Sequence, residues 1–226
     1  MRSAARLLAF LVAMVGAGMA CGQTGPTVIG NVVPVTAITL PPVWTPTWNG
    51  LPSPVPGWLV LAGTGVELSL PASYQGGDPV TRTQELIDLI AQVPGNEALV
   101  ELVRTSPAAY RLLAIDETGG SIVAVTLKDI PPEIGMADYV DGWTRALLDQ
   151  TSGASLIDKG IVQLQQQDAG RVIFEFAVPS GTSWQLSYVV RREAQIWSFH
   201  FAAAKDEFYQ MQPIFEQSIQ TLRFPP

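Results

Sequence analysis

The chain has 226 residues, 47% hydrophobic and 15% charged, with a formal net charge of −7, one histidine and one cysteine. The acidic balance disfavours nucleic acid and anionic lipid headgroups as partners, because both need a basic patch. One histidine excludes paired-histidine zinc motifs, and one cysteine excludes an internal disulfide.

At the N-terminus Arg2 and Arg6 precede an apolar or small-residue run from Leu7 to Ala20. A run of roughly fourteen residues suits a signal-peptide core and falls short of the roughly 20 that a spanning helix needs. Residues 1–20 are therefore expected to be a cleaved signal peptide. The run closes in Gly18-Met19-Ala20-Cys21, which resembles a bacterial lipobox. That resemblance implies a Cys21 thiol that is diacylated and becomes the first residue of the mature protein. Gly18 stands where a bulky aliphatic residue is usual, and Gly18-x-Ala20 also suits ordinary secretory cleavage. A lone thiol in an oxidising compartment is a liability that acylation removes. Each acyl chain contributes about 0.8 kcal/mol per buried methylene. The expected localisation is thus export, with the protein anchored at a membrane through lipid on Cys21 and facing the periplasm or exterior; secretion is the alternative. Losing Arg2 and Arg6 with the signal makes the mature chain about two charges more negative.

From Gly22 to Gly57 no residue is charged, and prolines stand at 26, 34, 41, 42, 46, 52, 54 and 56. Proline fixes φ and removes a donor, so residues 21–57 read as an extended tether. At about 3.1 Å per residue it reaches on the order of 100 Å. Val32, Val33, Val35, Ile38, Trp44 and Trp48 make it more apolar than a solvated linker. Either part of it packs along the domain, or Trp44 and Trp48 mark a contact with a partner or headgroup.

Residues 58–226 suffice for one core. Val66, Leu68 and Leu70 alternate with Glu67 and Ser69 before Pro71, which predicts a half-buried strand. Leu86, Ile87, Ile90 and Val93 recur at helical spacing, with Asp78 and Thr81 as candidate caps and Pro94-Gly95 as the stop; Ala98 to Val103 forms a second short helix. Tyr110 to Asp116 and Ser121 to Leu127 flank a Thr118-Gly119-Gly120 turn, a hairpin pattern. Tyr139, Trp143 and Leu147 share one face of an amphipathic helix ending near Gly153. Four strands follow: Ile161 to Gln165, a turn at Asp168-Ala169-Gly170, Arg171 to Val178, a turn at Ser180-Gly181, Trp184 to Arg191, and Ile196 to Ala203. Their short links imply an antiparallel meander. Phe208, Met211, Phe215, Ile219 and Leu222 form the apolar face of a last helix, which Pro213 is expected to kink or to open.

Gly65-Val66-Glu67-Leu68-Ser69-Leu70-Pro71, Ala169-Gly170-Arg171 entering an aromatic strand, and Phe215-Glu216-Gln217-Ser218-Ile219 resemble the PsbP-like fold, which includes the DcrB and LpqN groups of envelope proteins. The resemblance covers roughly residues 58–224. It implies an α+β domain: an antiparallel sheet of about six strands with helices on both faces. It also implies a mostly non-enzymatic superfamily of accessory subunits, envelope proteins and binding modules. Its motifs are structural, so no catalytic, cofactor or metal residue is carried over. The helical stretch from about 78 to 106 is longer than the usual connection there.

Little in the sequence suggests catalysis. No Gly-x-Ser-x-Gly elbow occurs. His200 points opposite to Phe199 and Phe201, as a packing or surface residue would. Gly63-Thr64-Gly65 lacks the lysine and helix of a phosphate loop and reads as a strand entry. Asp138 and Asp141, three apart on a helix with Glu133 nearby, are solvated helix-start carboxylates before they are a cation site. Asp116 and Glu117 belong to a hairpin turn. Trp143, Trp184 and Trp197, with Phe174, Phe176 and Phe201, are core aromatics or a ligand-groove lining. The expected function is that of a membrane-anchored, non-catalytic binding or accessory domain without cofactors, serving an envelope protein or a lipid-like ligand. The alternative is a small-molecule or lipid receptor with its cavity between sheet and helix.

Overall fold

The computed structural model describes residues 55–93, 96–117, 120–178 and 181–225. Cys21, Trp44 and Trp48 lie outside them, as do Pro94-Gly95, Thr118-Gly119 and Ser180 of the expected turns. In chain order the elements are β1 (Trp58–Gly63), β2 (Val66–Pro71), β3 (Tyr74–Gly77), α1 (Thr83–Ala91), α2 (Glu97–Thr105), a 3-10 turn (Pro107–Ala109), β4 (Leu112–Asp116), β5 (Ser121–Asp129), α3 (Met136–Gln150), β6 (Ala154–Leu164), β7 (Gln167–Val178), β8 (Gly181–Arg192), β9 (Gln195–Ala204) and α4 (Lys205–Gln220). Seven strands form one antiparallel sheet in the order β3-β4-β5-β9-β8-β7-β6, while β1 and β2 form a separate hairpin.

Strands at the middle of a sheet covered on both sides must be apolar, or internally satisfied, at every position. The sequence of β4, β5, β8 and β9 meets that condition. On the first face Leu112, Val123, Leu186, Phe199 and Phe201 pack under α4 through Phe208, Phe215 and Ile219, and under β2 through Val66, Leu68 and Leu70. On the second face Leu113, Ile115 and Ile122 lie under Leu86, Ile90, Leu99 and Val103 of α1 and α2. Farther along that face Val172, Phe174 and Phe176 lie under Val140, Trp143 and Leu147 of α3. Each such buried side chain contributes about 1.5–3 kcal/mol of transfer free energy. Among the described residues no helix is long and apolar enough to cross a membrane.

Three expectations change. The β6–β7 turn falls at Gln165-Gln166, not at Asp168-Ala169-Gly170, and both glutamines take positive φ, 48° and 68°. Left-handed backbone at both central positions of a two-residue loop suits the twist of a hairpin. Strand β6 begins at Ala154, well before Ile161, and carries a bulge between Leu156 and Asp158. Pro213 lies inside α4 instead of opening it. It is exposed, so the carbonyl it leaves unbonded one turn earlier can be solvated.

Gly170, read from sequence as a turn residue, sits in β7 because α3 comes down on it. A Cβ there would stand 2.3 Å from Val140 Cγ2. Gly170→Ala is expected to lower stability by about 2 kcal/mol through overpacking. Gly142→Ala, within α3 and with open space around its Cβ, is expected to raise it by about 0.5–1 kcal/mol. Urea unfolding of the two variants against wild type checks both signs.

Candidate functional site

The alternation of β9 sends Phe199 and Phe201 into the first-face core and His200 onto the second face. There its register partners are Ala124 of β5 and Ser187 of β8. His200 Nδ1 lies 3.0 Å from Ser187 Oγ and 3.2 Å from Gln185 Nε2, which also donates to Ser187 Oγ at 2.7 Å. An amide nitrogen only donates, so Nδ1 accepts and the ring proton is assigned to Nε2, 3.5 Å from Thr126 Oγ1. Trp143 of α3 covers the ring at 6.1 Å between centroids. Burial pushes the His200 pKa down to about 4.

A serine oxygen 3.0 Å from an imidazole nitrogen is also the spacing of a nucleophile and its base. Here Ser187 has no exposed surface. A base whose pKa is about 4 has little driving force to take a proton near neutrality. The polar cluster of Gln185, Ser187 and His200 is therefore a satisfied seam within the sheet. It lies between the part of the second face covered by α1 and α2 and the part covered by α3.

The first face holds a second polar cluster. Arg171 of β7 donates to Asp158 Oδ2 on β6 at 2.7 Å and to Glu216 Oε1 on α4 at 3.3 Å. Gln212 donates to the same Glu216 oxygen at 2.8 Å. One guanidinium thus ties the edge strand, its neighbour and the covering helix together.

The remaining sequence candidates are spread over the molecule. Asp141 pairs with Lys159 on β6. Asp138 and Glu133 are exposed, and no group of three potential metal ligands forms among the described residues. Gly63-Thr64-Gly65 turns β1 into β2, with Thr64 Oγ1 donating to Asp78. Asp116 closes β4, and the Glu117 amide donates to the Ser73 carbonyl.

Trp143, Trp184 and Trp197 fill the core instead of lining an opening. Trp143 stands edge-on to Phe174 at 5.5 Å, Trp184 to Phe208 at 5.4 Å and Trp197 to Phe224 at 5.1 Å. At one end of the sheet Trp184 Nε1 donates to Glu175, beside exposed Tyr209. Hydrogen bonds from Lys205 and then Trp184 hold the Glu175 carboxyl below the usual carboxylate range. A hollow of about 150 Å³ opens between β3 and α1, lined by Gln75, Gly76, Arg82, Glu85, Leu86 and Leu89. That is below the roughly 300–1,000 Å³ of small-molecule pockets.

The Gln185–Ser187–His200 seam and the Arg171–Glu216 pair escaped the sequence reading. The first left a signal, since β8 alternates Ser183, Gln185 and Ser187 with Trp184, Leu186 and Tyr188. Polar residues on a strand that is central to a sheet must find partners there. The second pair lies 45 residues apart, and no local pattern connects it.

No family model matches the chain, and no curated protein matches it. Solved structures do. Cyanobacterial PsbP (CyanoP) from Synechocystis sp. PCC 6803 is similar over 76% of this chain and 94% of its own, with a TM-score of 0.51 and 15% identity. LpqN, involved in cell envelope biogenesis of Mycobacterium tuberculosis, covers 75% and 91% at a TM-score of 0.47 and 11% identity. The type VI secretion immunity protein TplEi of Pseudomonas aeruginosa covers 75% and 98% at 0.45 and 10%. At these identities the likeness is one of fold: the domain is an α+β, PsbP-like sheet with helices on both faces.

Proposed function

We propose that the chain is an exported lipoprotein, anchored through Cys21, whose PsbP-like domain binds a protein partner at the cell envelope and performs no catalysis. The observation that carries this reading is the position of the one cysteine, directly between an apolar leader and an uncharged proline-rich segment. The domain supports it from the other side. Its histidine is neutral and internally bonded, its buried arginine is paired, and its aromatic side chains are used in packing. Those side chains fill the space between sheet and helices that a receptor cavity would need.

Cys21→Ala is expected to move the protein from the membrane fraction to the soluble one and to remove acyl mass from the mature N-terminus. A variant that stayed in the membrane fraction, or a wild-type N-terminus without acyl mass, would make the anchor wrong. Crosslinking of the lipidated protein in intact cells, followed by mass spectrometry, identifies the partner. Native mass spectrometry of the purified domain tests the receptor alternative, which a co-purifying lipid or metabolite would favour.

A further inference from the structure

The two strands of the β1–β2 hairpin are held very differently. None of the six residues of β1 is buried, and Leu59 and Val60 are 50% and 42% exposed. Among the described residues its ladder runs to β2 alone, and Leu61 is its side chain packed against the first-face core. In β2, Val66, Leu68 and Leu70 have no exposed surface. Glu67 exchanges backbone hydrogen bonds with Arg223, the Ser69 amide donates to Thr221 Oγ1 at 2.8 Å, and Ser218 Oγ donates to the Ser69 carbonyl at 2.7 Å. Strand β2 is thus fixed to α4 and the segment after it by contacts that do not involve β1. Because residues 67 and 69 face that segment, the alternation of an antiparallel ladder turns the backbone groups of 66, 68 and 70 to β1, opposite Gly63, Leu61 and Leu59.

The two ends of β1 differ as well. At its turn end the Thr64 amide donates to the Arg111 carbonyl at 2.9 Å, and Thr64 Oγ1 donates to Asp78. A Cβ on Gly63 would stand 2.0 Å from the Arg111 carbonyl oxygen, and Gly65 takes φ of +73°. The turn is therefore pinned to β4 and flanked by glycines. At the other end Trp58 lies opposite Pro71, and the Trp58 amide is bonded locally to the Val55 carbonyl. A load on the chain ahead of β1 enters at this second end. It acts on one register pair at a time, because the strand runs from there back toward the pinned turn.

We infer that β1 is a releasable strand, which unzips from Trp58 toward a hinge at Gly63-Thr64-Gly65 while β2 and the seven-stranded sheet stay folded. A strand with few buried apolar contacts belongs to the low-stability end of a fold's opening units, and a few loop residues suffice to absorb the movement. Release lets out residues 56–63, about 25 Å of extended chain, and uncovers the backbone edge of β2. Load on the domain is then relieved before its core is disturbed. The inference concerns the domain itself and does not rest on acylation of Cys21.

The test is residue-resolved native-state amide exchange on the mature chain, wild type against Gly170→Ala, whose site lies in β7, a strand that stays folded when β1 opens. In wild type the Leu68 and Leu70 amides are expected to exchange at least about 100-fold faster than those of Glu67 and Ser69, after correction for sequence, with Leu70 at least as fast as Leu68. Gly170→Ala is expected to speed Glu67 and Ser69 by at least about tenfold and to leave Leu68 and Leu70 within about twofold, because the opened state keeps the strained site folded. Equal protection of the four amides in wild type would overturn the inference, since β1 would then leave only together with β2 or with the whole domain. An equal response of all four to Gly170→Ala would overturn it in the same way.

Discussion

Arg171→Ala is expected to lower the unfolding free energy by about 3–5 kcal/mol, the range for breaking a desolvated ion pair from one side. The Arg171 side chain is 8% exposed, and that of Glu216 is 19% exposed. Without the guanidinium, Gln212 still donates to Glu216, but the carboxylate loses its charged partner. Its carboxylate is then left underbonded against the core. Asp158 is 40% exposed, so it remains solvated and contributes little of the loss. The larger part of the effect is the charge stranded on α4, not the attraction removed. Replacing both partners with apolar residues of similar size, Arg171→Met with Glu216→Leu, is accordingly expected to recover most of the stability. The surface pair Arg104–Glu101, with both side chains more than half exposed, is expected to cost under about 1 kcal/mol when broken. Urea unfolding of these variants checks the ranking. A single Arg171 variant within about 1 kcal/mol of wild type would show that Glu216 relaxes into water and that the cluster is not desolvated.

Those two residues also show where sequence reading stops. Periodicity identified α3 from Tyr139, Trp143 and Leu147, and it identified the first-face residues of β7, β8 and β9. Both are local consequences of helix and strand geometry. It placed the β6–β7 turn on Asp168-Ala169-Gly170 because aspartate and glycine favour turns. The chain instead turns at two glutamines, and the glycine is there so that α3 can approach. Strand β3 went unseen for a related reason. Two of its four residues are glycines, which strands avoid, yet a Cβ on Gly76 would lie 2.2 Å from the Leu113 carbonyl oxygen. In each case tertiary contact overrides local propensity. Strand β1 was overlooked because its apolar run follows the prolines without alternating. Cys21, the residue proposed to carry an anchor, is by contrast read only from the sequence, since it lies outside the described residues.

The buried histidine gives the domain an acid limit that differs from ordinary carboxylate titration. Burial lowers the His200 pKa from 6.5 to about 4, so the folded state favours the neutral ring and the unfolded chain binds the proton more readily. The stabilisation is complete above about pH 6.5. It declines as the pH falls through the unfolded pKa and is fully lost near the folded one, a loss of about 3 kcal/mol. Carboxylates also titrate toward the lower end of this window, so wild-type acid sensitivity alone does not isolate the ring. His200→Gln does, because it removes the titration and retains hydrogen-bonding groups opposite Gln185 and Ser187. At neutral pH the variant is expected to be less stable than wild type, since the amide fills less of the space under Trp143. Between pH 7 and pH 4 wild type should lose about 3 kcal/mol more than the variant, so the two stability curves converge or cross on the acid side. Parallel curves over that range would mean that His200 is protonated in place, with Gln185 turned to present its carbonyl to Nδ1. The Gln185 donor and Nε2 tautomer assigned to the seam would then have to be reversed.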